Sequence, residues 1–427
     1  MTRLGRNSGR NLFVVAGCAM LLTACSGGGG TSIDVGTPPS PSVTSPPTGW
    51  ALAFAPQVTF TTGTNPAGTA LGDVNGDGTL DLAVTNFFSG TISVLLNTTA
   101  PGAATPNFAT QVQFGTGVTG GATRVAMGDV NGDGKLDLAV DNEYNNNVWV
   151  LLNTTALGAA TPSFAGPVSF TTGISPFAVA LGDLNGDGKL DLTVPNFRDN
   201  TFSVMLNTTA LGAATPSFAT QVQFPSGTPG DDPYAVALGD VNGDGKLDVA
   251  VANYNSGTVS VFLNQTALGA ATPSFSAQIQ FSTGNGASSV RLGDVNGDGK
   301  VDLAVSNPFG NTVSVLLNTT ASGATTPSFA TLASFAVGSS PTAVALGDVN
   351  GDGKEDLMVS NFFSDTVSVL LNTTAPGATT PSFASQVPFS TGSGANDVAL
   401  GDVNGDGKLD VAVPNWNSGT VSVLLNQ

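Results

Sequence analysis

Asp73-Val74-Asn75-Gly76-Asp77-Gly78-Thr79-Leu80-Asp81 is the first of seven nine-residue loops, and the others start at Asp129, Asp183, Asp240, Asp294, Asp348 and Asp402. The starts lie 54 to 57 residues apart, so the repeat has the length of a supersecondary unit that buries its apolar face only against copies of itself. Every loop offers oxygen at alternate positions. The seven starting Asp are position 1, and position 3 is Asn75, Asn131, Asn185, Asn242, Asn296, Asn350 or Asn404. Position 5 is Asp77, Asp133, Asp187, Asp244, Asp298, Asp352 or Asp406. Position 7 is Thr79 in the first loop and Lys135, Lys189, Lys246, Lys300, Lys354 or Lys408 in the rest. Position 9 is Asp81, Asp137, Asp191, Asp248, Asp302, Asp356 or Asp410. Alternate residues face one point only if the chain curls tightly, and position 6 is glycine in every copy, from Gly78 to Gly407, where a Cβ would resist the turn. Three carboxylates drawn together repel one another. A hard cation with flexible oxygen coordination removes that cost, and Ca²⁺ suits the loop better than Mg²⁺, which requires a smaller octahedral cage. About seven structural Ca²⁺ ions are the expected cofactor.

An EF-hand or dockerin-like loop opens in the same way but closes its cage with a carboxylate at position 12 and continues as a helix. Here position 12 is Val84, Val140, Val194, Val251, Val305, Val359 or Val413, and Asp81-Leu82-Ala83-Val84 reads as a strand. The third repeat shows the rest of the unit. Ala178 to Gly182 leads into the loop, Leu192 to Val194 leaves it, Phe202 to Leu206 follows a polar turn, and Phe218 to Phe224 closes the unit. Short β-branched or alternating runs bounded by Gly, Asn, Ser and Pro are strand signals, and no helical period runs for a useful length. Four strands per unit, seven times, predict an all-β chain folded as a seven-bladed β-propeller. A Phe-led outer segment begins at Phe54, Phe108, Phe164, Phe218, Phe275, Phe329 and Phe383, whereas the chain stops after a third strand, Val421 to Leu425. Residues 54 to 60 are therefore expected to complete the last blade and close the ring.

The units resemble FG-GAP or VCBS repeats, the calcium-loop blades of the integrin-alpha type of propeller, across residues 50–427. The resemblance is strongest in cores such as Gly239 to Asp248 and in the Val-Ala-Asn or Val-Ser-Asn strand ends that follow. It implies that positions 1, 3, 5 and 9 ligate the metal through side chains and position 7 through its carbonyl. Clear Phe-Gly and Gly-Ala-Pro signatures are missing, so integrin-like ligand recognition does not come with the resemblance.

Residues 1–24 read as an export signal, with Arg3, Arg6 and Arg10 ahead of an apolar stretch from Leu12 to Leu22 that is short for a membrane span. Leu22-Thr23-Ala24-Cys25 resembles a bacterial lipobox, which implies lipidation of Cys25 as the first mature residue. Residues 25–49 are then a Gly, Ser, Thr and Pro tether with too little apolar content to fold. The expected location is the cell envelope, the propeller being held to a membrane by acyl chains. Ser26 lacks the Asp that would favour inner-membrane retention, which points to the outer membrane or cell surface.

The chain has no His, and its only Cys after the leader is Cys25, so a disulfide framework, a thiol nucleophile in the ring and a His-based site are excluded. Of its 30 acids, 21 are loop Asp, and all six Lys stand at loop position 7, so net charge −18 is concentrated in the loops. Elsewhere in the repeats only Arg124, Arg198 and Arg291 are basic, which argues against a nucleic-acid partner. A monomer is expected. The five Asn-Thr-Thr triplets (Asn97, Asn153, Asn207, Asn318, Asn372) match a glycosylation sequon, but after a bacterial lipobox they read as strand-end turns.

The leading functional reading is a surface-anchored binding or scaffold module for an extracellular glycan or protein. The alternatives are a propeller lyase or hydrolase acting on polysaccharide, and a purely structural envelope protein. An enzyme is not expected, because the acids outside the loops form no recognisable pair with a base. The turns between second and third strands lie opposite the acidic loops and carry Phe87, Phe88, Tyr144, Phe197, Tyr254, Phe309, Phe362, Phe363 and Trp416 beside Asn residues. Aromatics among amides suit carbohydrate stacking or a protein partner, with Tyr144, Tyr254 and Trp416 the candidate contacts. Packing of these rings between blades is the alternative. Arg124, Arg291 and Asp397 precede loops on innermost strands and are expected to face a central channel, either as ligand contacts or, the preferred reading, merely solvated.

Overall fold

The computed structural model describes residues 51–116, 120–228 and 230–427, where the chain forms seven four-stranded antiparallel sheets. The first sheet runs outward from Pro66–Gly72 through Asp81–Asn86 and Thr91–Leu95 to Val112–Gly115. Innermost strands of successive sheets adjoin around a ring, and Ala399–Gly401 of the seventh adjoins Pro66–Gly72 of the first. The fold is thus the all-β ring of seven blades that the loop spacing predicts. In the seventh sheet the outer strand comes from the other end of the chain, because Val58–Thr61 pairs with Thr420–Leu424 and Phe54 bridges Asn426. The leader, the tether and Cys25 lie outside the described residues.

Burial explains why the strands read as they do. Asp81–Asn86 is buried at every position and Thr91–Leu95 at all but the first, whereas Val112–Gly115 alternates half-buried with exposed. Middle strands lie between two neighbouring sheets, and successive side chains point to opposite sides. Leu82 and Val84 therefore pack with Val421 and Val423 of the seventh sheet, while Ala83 packs with Val125 and Val140 of the second. Burying each such Val or Leu contributes about 1.5–3 kcal/mol. An outer strand faces water on one edge and keeps a period of two.

The Phe-led segments form a second belt. Phe60–Phe108, Phe114–Phe164, Phe170–Phe218, Phe224–Phe275, Phe281–Phe329, Phe335–Phe383 and Phe389–Phe54 meet edge to face with ring centres 4.9–5.0 Å apart. Each pair joins one blade to the next, and aromatic pairs of this geometry add about 0.5–1.5 kcal/mol beyond the area they bury. This belt explains a difference from the sequence reading, in which Phe218 opens the outer strand of its blade. That strand is Val222–Pro225, and Phe218 makes a single bridge to Asn207 so that its ring can turn toward Phe170. The innermost strand of the same blade is also shorter than read, Ala180–Gly182.

Candidate functional site

Each acidic loop is closed by its own main chain. In the first, Asp73 Oδ1 accepts the amides of Gly76 (2.7 Å) and Asp77 (3.1 Å), and Oδ2 accepts that of Gly78 (2.8 Å). Asn75 Oδ1 accepts the Asp77 amide, and Asp77 Oδ1 accepts that of Thr79. Gly78 has φ +89° with nothing near a would-be Cβ, so its role is conformational and not a matter of space. Asp81 is fully buried and accepts the Val74 amide on one oxygen (2.8 Å) and the Asn97 amide on the other (2.7 Å). The same pair of amides reaches position 9 in every loop, ending with Val403 and Asn426 on Asp410. Desolvation, helped by the charges of Asp77 and Asp73, raises Asp81 to about 6 against those two hydrogen bonds. Asp410 stands at about 7 for the same reasons.

Among the described residues no three His, Cys, Asp or Glu side chains gather closely enough to hold a metal ion. The donor set nevertheless fits a hard cation, being all oxygen, with a buried carboxylate that only amides compensate. Asp73, Asn75, Asp77, the Thr79 carbonyl and Asp81 would hold Ca²⁺ in the first loop, and their equivalents in the others. The ion would neutralise charge and stiffen the loop.

The loops also join blades, which sequence reasoning missed. Asn153, just past the third strand of its blade, donates through Nδ2 to Leu136 O of its own loop (3.0 Å) and to Val74 O of the preceding loop (2.8 Å). Asn97, Asn207, Asn264, Asn318, Asn372 and Asn426 repeat this double bond. The glycosylation-like triplets are strand-end turns, as expected, and their Asn side chains are buried clasps. The available signal was an Asn at one register position in all seven units.

On the opposite face seven of the nine turn aromatics converge into two clusters, while Phe362 and Phe363 pair with each other at 5.3 Å. Trp416, Phe87, Phe88 and Tyr144 come from three consecutive blades, with Phe87 buried at the centre 5.2 Å from Trp416 and 5.4 Å from Tyr144. The second cluster holds Phe197, Phe177, Tyr234, Tyr254 and Phe309, with Tyr254 stacked on buried Tyr234 at 5.0 Å. The structure therefore brings Tyr144 and Trp416 together and places Tyr254 in the other group. Phe177 and Tyr234, at the entry to innermost strands, were missed because they precede the acidic loops and do not lie in the turns between second and third strands. Phe88, Tyr144, Phe309 and Phe363 are more than half exposed, whereas burial of Tyr254 pushes its phenol up to about 12.

The FG-GAP-like repeat pattern matches residues 73–140, 142–194, 240–305, 294–359 and 348–413. The chain belongs to the FG-GAP-like repeat family. No curated relative matches it. Solved structures share the ring of this FG-GAP-like chain at low identity. One is BBS1N in complex with ARL6DN, at 11% identity over 88% of this chain and 97% of that one, TM-score 0.54. Another is a catalytically inactive virginiamycin B lyase from Staphylococcus aureus with quinupristin, at 12% over 88% and 99%, TM-score 0.51. A protein from Lactobacillus plantarum matches at 14% over 79% and 88%, TM-score 0.53. Such likeness is one of fold, and this fold serves both a protein complex and a lyase.

The centre of the FG-GAP-like ring departs from the expectation of solvated charges. Arg124 and Asp397 are 0% exposed and Arg291 is 5% exposed. Arg124 Nη1 donates to Ala67 O at 3.0 Å and lies 3.9 Å from Asp397 Oδ2, while Asp397 accepts the amides of Thr69 and Val398. Innermost strands crowd the axis so closely that these side chains fill it. Desolvation lowers Arg124 to about 10 despite Asp397, and it raises the Asp397 carboxyl.

Proposed function

We propose that this protein is an exported binding or scaffold propeller, lipid-anchored through Cys25 to the bacterial envelope at the outer membrane or cell surface. Its acidic loops hold structural Ca²⁺, and its turn face takes an extracellular glycan or protein. The observation that carries the reading is the convergence of exposed and half-buried aromatics from separate blades on the face away from the acidic loops. Repeated loop chemistry on one face and varied turns on the other divide the molecule into a structural side and a specialised one. Large aromatics at such a surface are the side chains on which binding energy concentrates.

Binding is favoured over catalysis because the acids nearest the axis are occupied. Asp141 accepts the Arg124 amide and the Thr123 hydroxyl, Asp397 accepts two amides, and both are fully buried away from any substrate. The test is an array of oligosaccharides and extracellular proteins, followed by Trp416→Ala and Phe309→Ala, one from each cluster. Each cluster that binds should lose about 1 kcal/mol or more on truncation, and the melting curve should hold for exposed Phe309→Ala. Tyr254→Ala is a poorer probe, since Tyr254 packs on Tyr234 and its loss would disturb stability. Normal binding by both variants would remove the turn face from consideration, and release of products from a polysaccharide would favour an enzyme.

A further inference from the structure

The seam between the seventh blade and the first opens as a groove of about 520 Å³ on the turn face, lined by Asn65, Ser89, Gln113, Trp416, Asn417 and Ser418 among others. We infer that this groove is a subsite for a neutral saccharide, with Trp416 as its stacking platform; the inference rests on the turn face being the binding face. Its volume lies within the roughly 300–1,000 Å³ usual for small-ligand sites.

The lining is the first argument. It consists of hydroxyls, side-chain amides, glycine backbone and one indole, with no charged side chain. The charges carried by the turns and by the segments entering the innermost strands (Glu143, Arg198, Asp199, Asp231, Asp232 and Asp365) belong to other blades, except Asp397 of the seventh, which is fully buried on the Thr69 and Val398 amides. A sugar ring presents an apolar C–H face and a rim of hydroxyls that both donate and accept. An indole matches the first and neutral amides and hydroxyls match the second, whereas an acidic or basic ligand would lose its hydration here without a counter-charge.

The groove is also held in shape. The Trp416 ring rests 5.2 Å from Phe87 and 6.0 Å from Phe88, and its carbonyl accepts from Asn65 Nδ2 at 3.2 Å across the seam. Asn65 takes the left-handed conformation, φ +54°, which Asn tolerates better than most residues. Ser89 Oγ accepts the Thr64 amide at 2.8 Å and Ser418 Oγ accepts the Ser393 amide at 2.9 Å. Those bonds fix the two oxygens and leave each hydroxyl proton to be donated to a ligand.

The experiment titrates the full-length protein with cello-, malto-, chito- and mannotrioses and with uronate trioses as the acidic control. A neutral triose should bind, the uronates should not, and Trp416→Ala and Asn417→Ala should each weaken binding about ten-fold or more, Asn417→Ala with unchanged melting and Trp416→Ala with melting lowered by the packing it loses on Phe87. Trp416→Tyr should restore part of the affinity, because an aromatic face returns. Binding of the triose that persists in Trp416→Ala but falls in Phe309→Ala would overturn the groove while leaving the face intact. Uronates bound as well as neutral trioses, or no triose bound by protein that captures an extracellular protein through Trp416, would overturn the saccharide assignment. Indifference to both Trp416→Ala and Phe309→Ala would overturn the groove and the face together.

Discussion

The side-chain amide of Asn153 donates to the carbonyl of Val74, 79 residues earlier in the chain, at 2.8 Å, and so clasps the second blade to the acidic loop of the first. The same Nδ2 holds Leu136 O, and Asn153 Oδ1 accepts the Thr155 amide, so one buried side chain fastens a loop, a strand end and a neighbouring blade. Removing it strands the buried Val74 carbonyl, at about 1–3 kcal/mol, and takes a partner from the part-buried Leu136 carbonyl as well. Asn153→Ala should therefore lower the denaturation midpoint well beyond Thr154→Ala, whose hydroxyl makes only an exposed bond to Ser163. Equal midpoints for the two variants would show that the clasp carries no stability.

Calcium should raise the melting temperature. A buried position-9 carboxylate in every loop is held by amides alone, and an ion bound only by the folded state adds about 2.7 kcal/mol per site at 100 times its Kd. Calorimetry with and without excess chelator decides the matter, and protein proven metal-free that melts at the same temperature after Ca²⁺ addition would refute the metal assignment.

Stability should also fall as pH rises toward neutrality, in part through Asp141. Burial pushes this carboxyl up to about 7 against the Thr123 hydroxyl, the Arg124 amide and the Arg124 guanidinium. The folded state then holds a proton that the unfolded chain, near the ordinary 3.8, has released. Stability from this group is complete below the unfolded value and is lost as pH climbs through the folded one. Asp397 shifts in the same direction. Asp141→Asn cannot ionise and keeps an acceptor for the Arg124 amide, so it should gain on wild type as pH rises from about 4 to about 7. Urea midpoints in chelator measure this, and a constant gap between the two proteins would mean that Asp141 does not titrate in that range.

Cys25→Ala should leave the protein unprocessed or release it from membranes, because the Gly, Ser, Thr and Pro tether has nothing apolar enough to hold it there. Mass spectrometry of the mature N-terminus reads the result directly. A first residue other than Cys25, or Cys25 without acyl chains, would rule out the anchor.

The sequence by itself determined the blade, the number of blades and the polarity of the two faces. Those properties are local: Asp73 to Asp81 spells one turn, Asp81 to Val84 spells the strand that leaves it, and repetition counts the rest. Only the tertiary structure decided which side chains meet. Asn97 reaches Val403 across 306 residues, and Trp416 reaches Phe87 only because the seventh blade lies against the first. Arg124 likewise proved buried because innermost strands from distant repeats converge at the axis, where its own strand reads like the others. A propeller puts every blade between two neighbours whose residues lie a whole repeat or more away. Burial at its seams and axis therefore depends on how the ring closes, which no short-range pattern records.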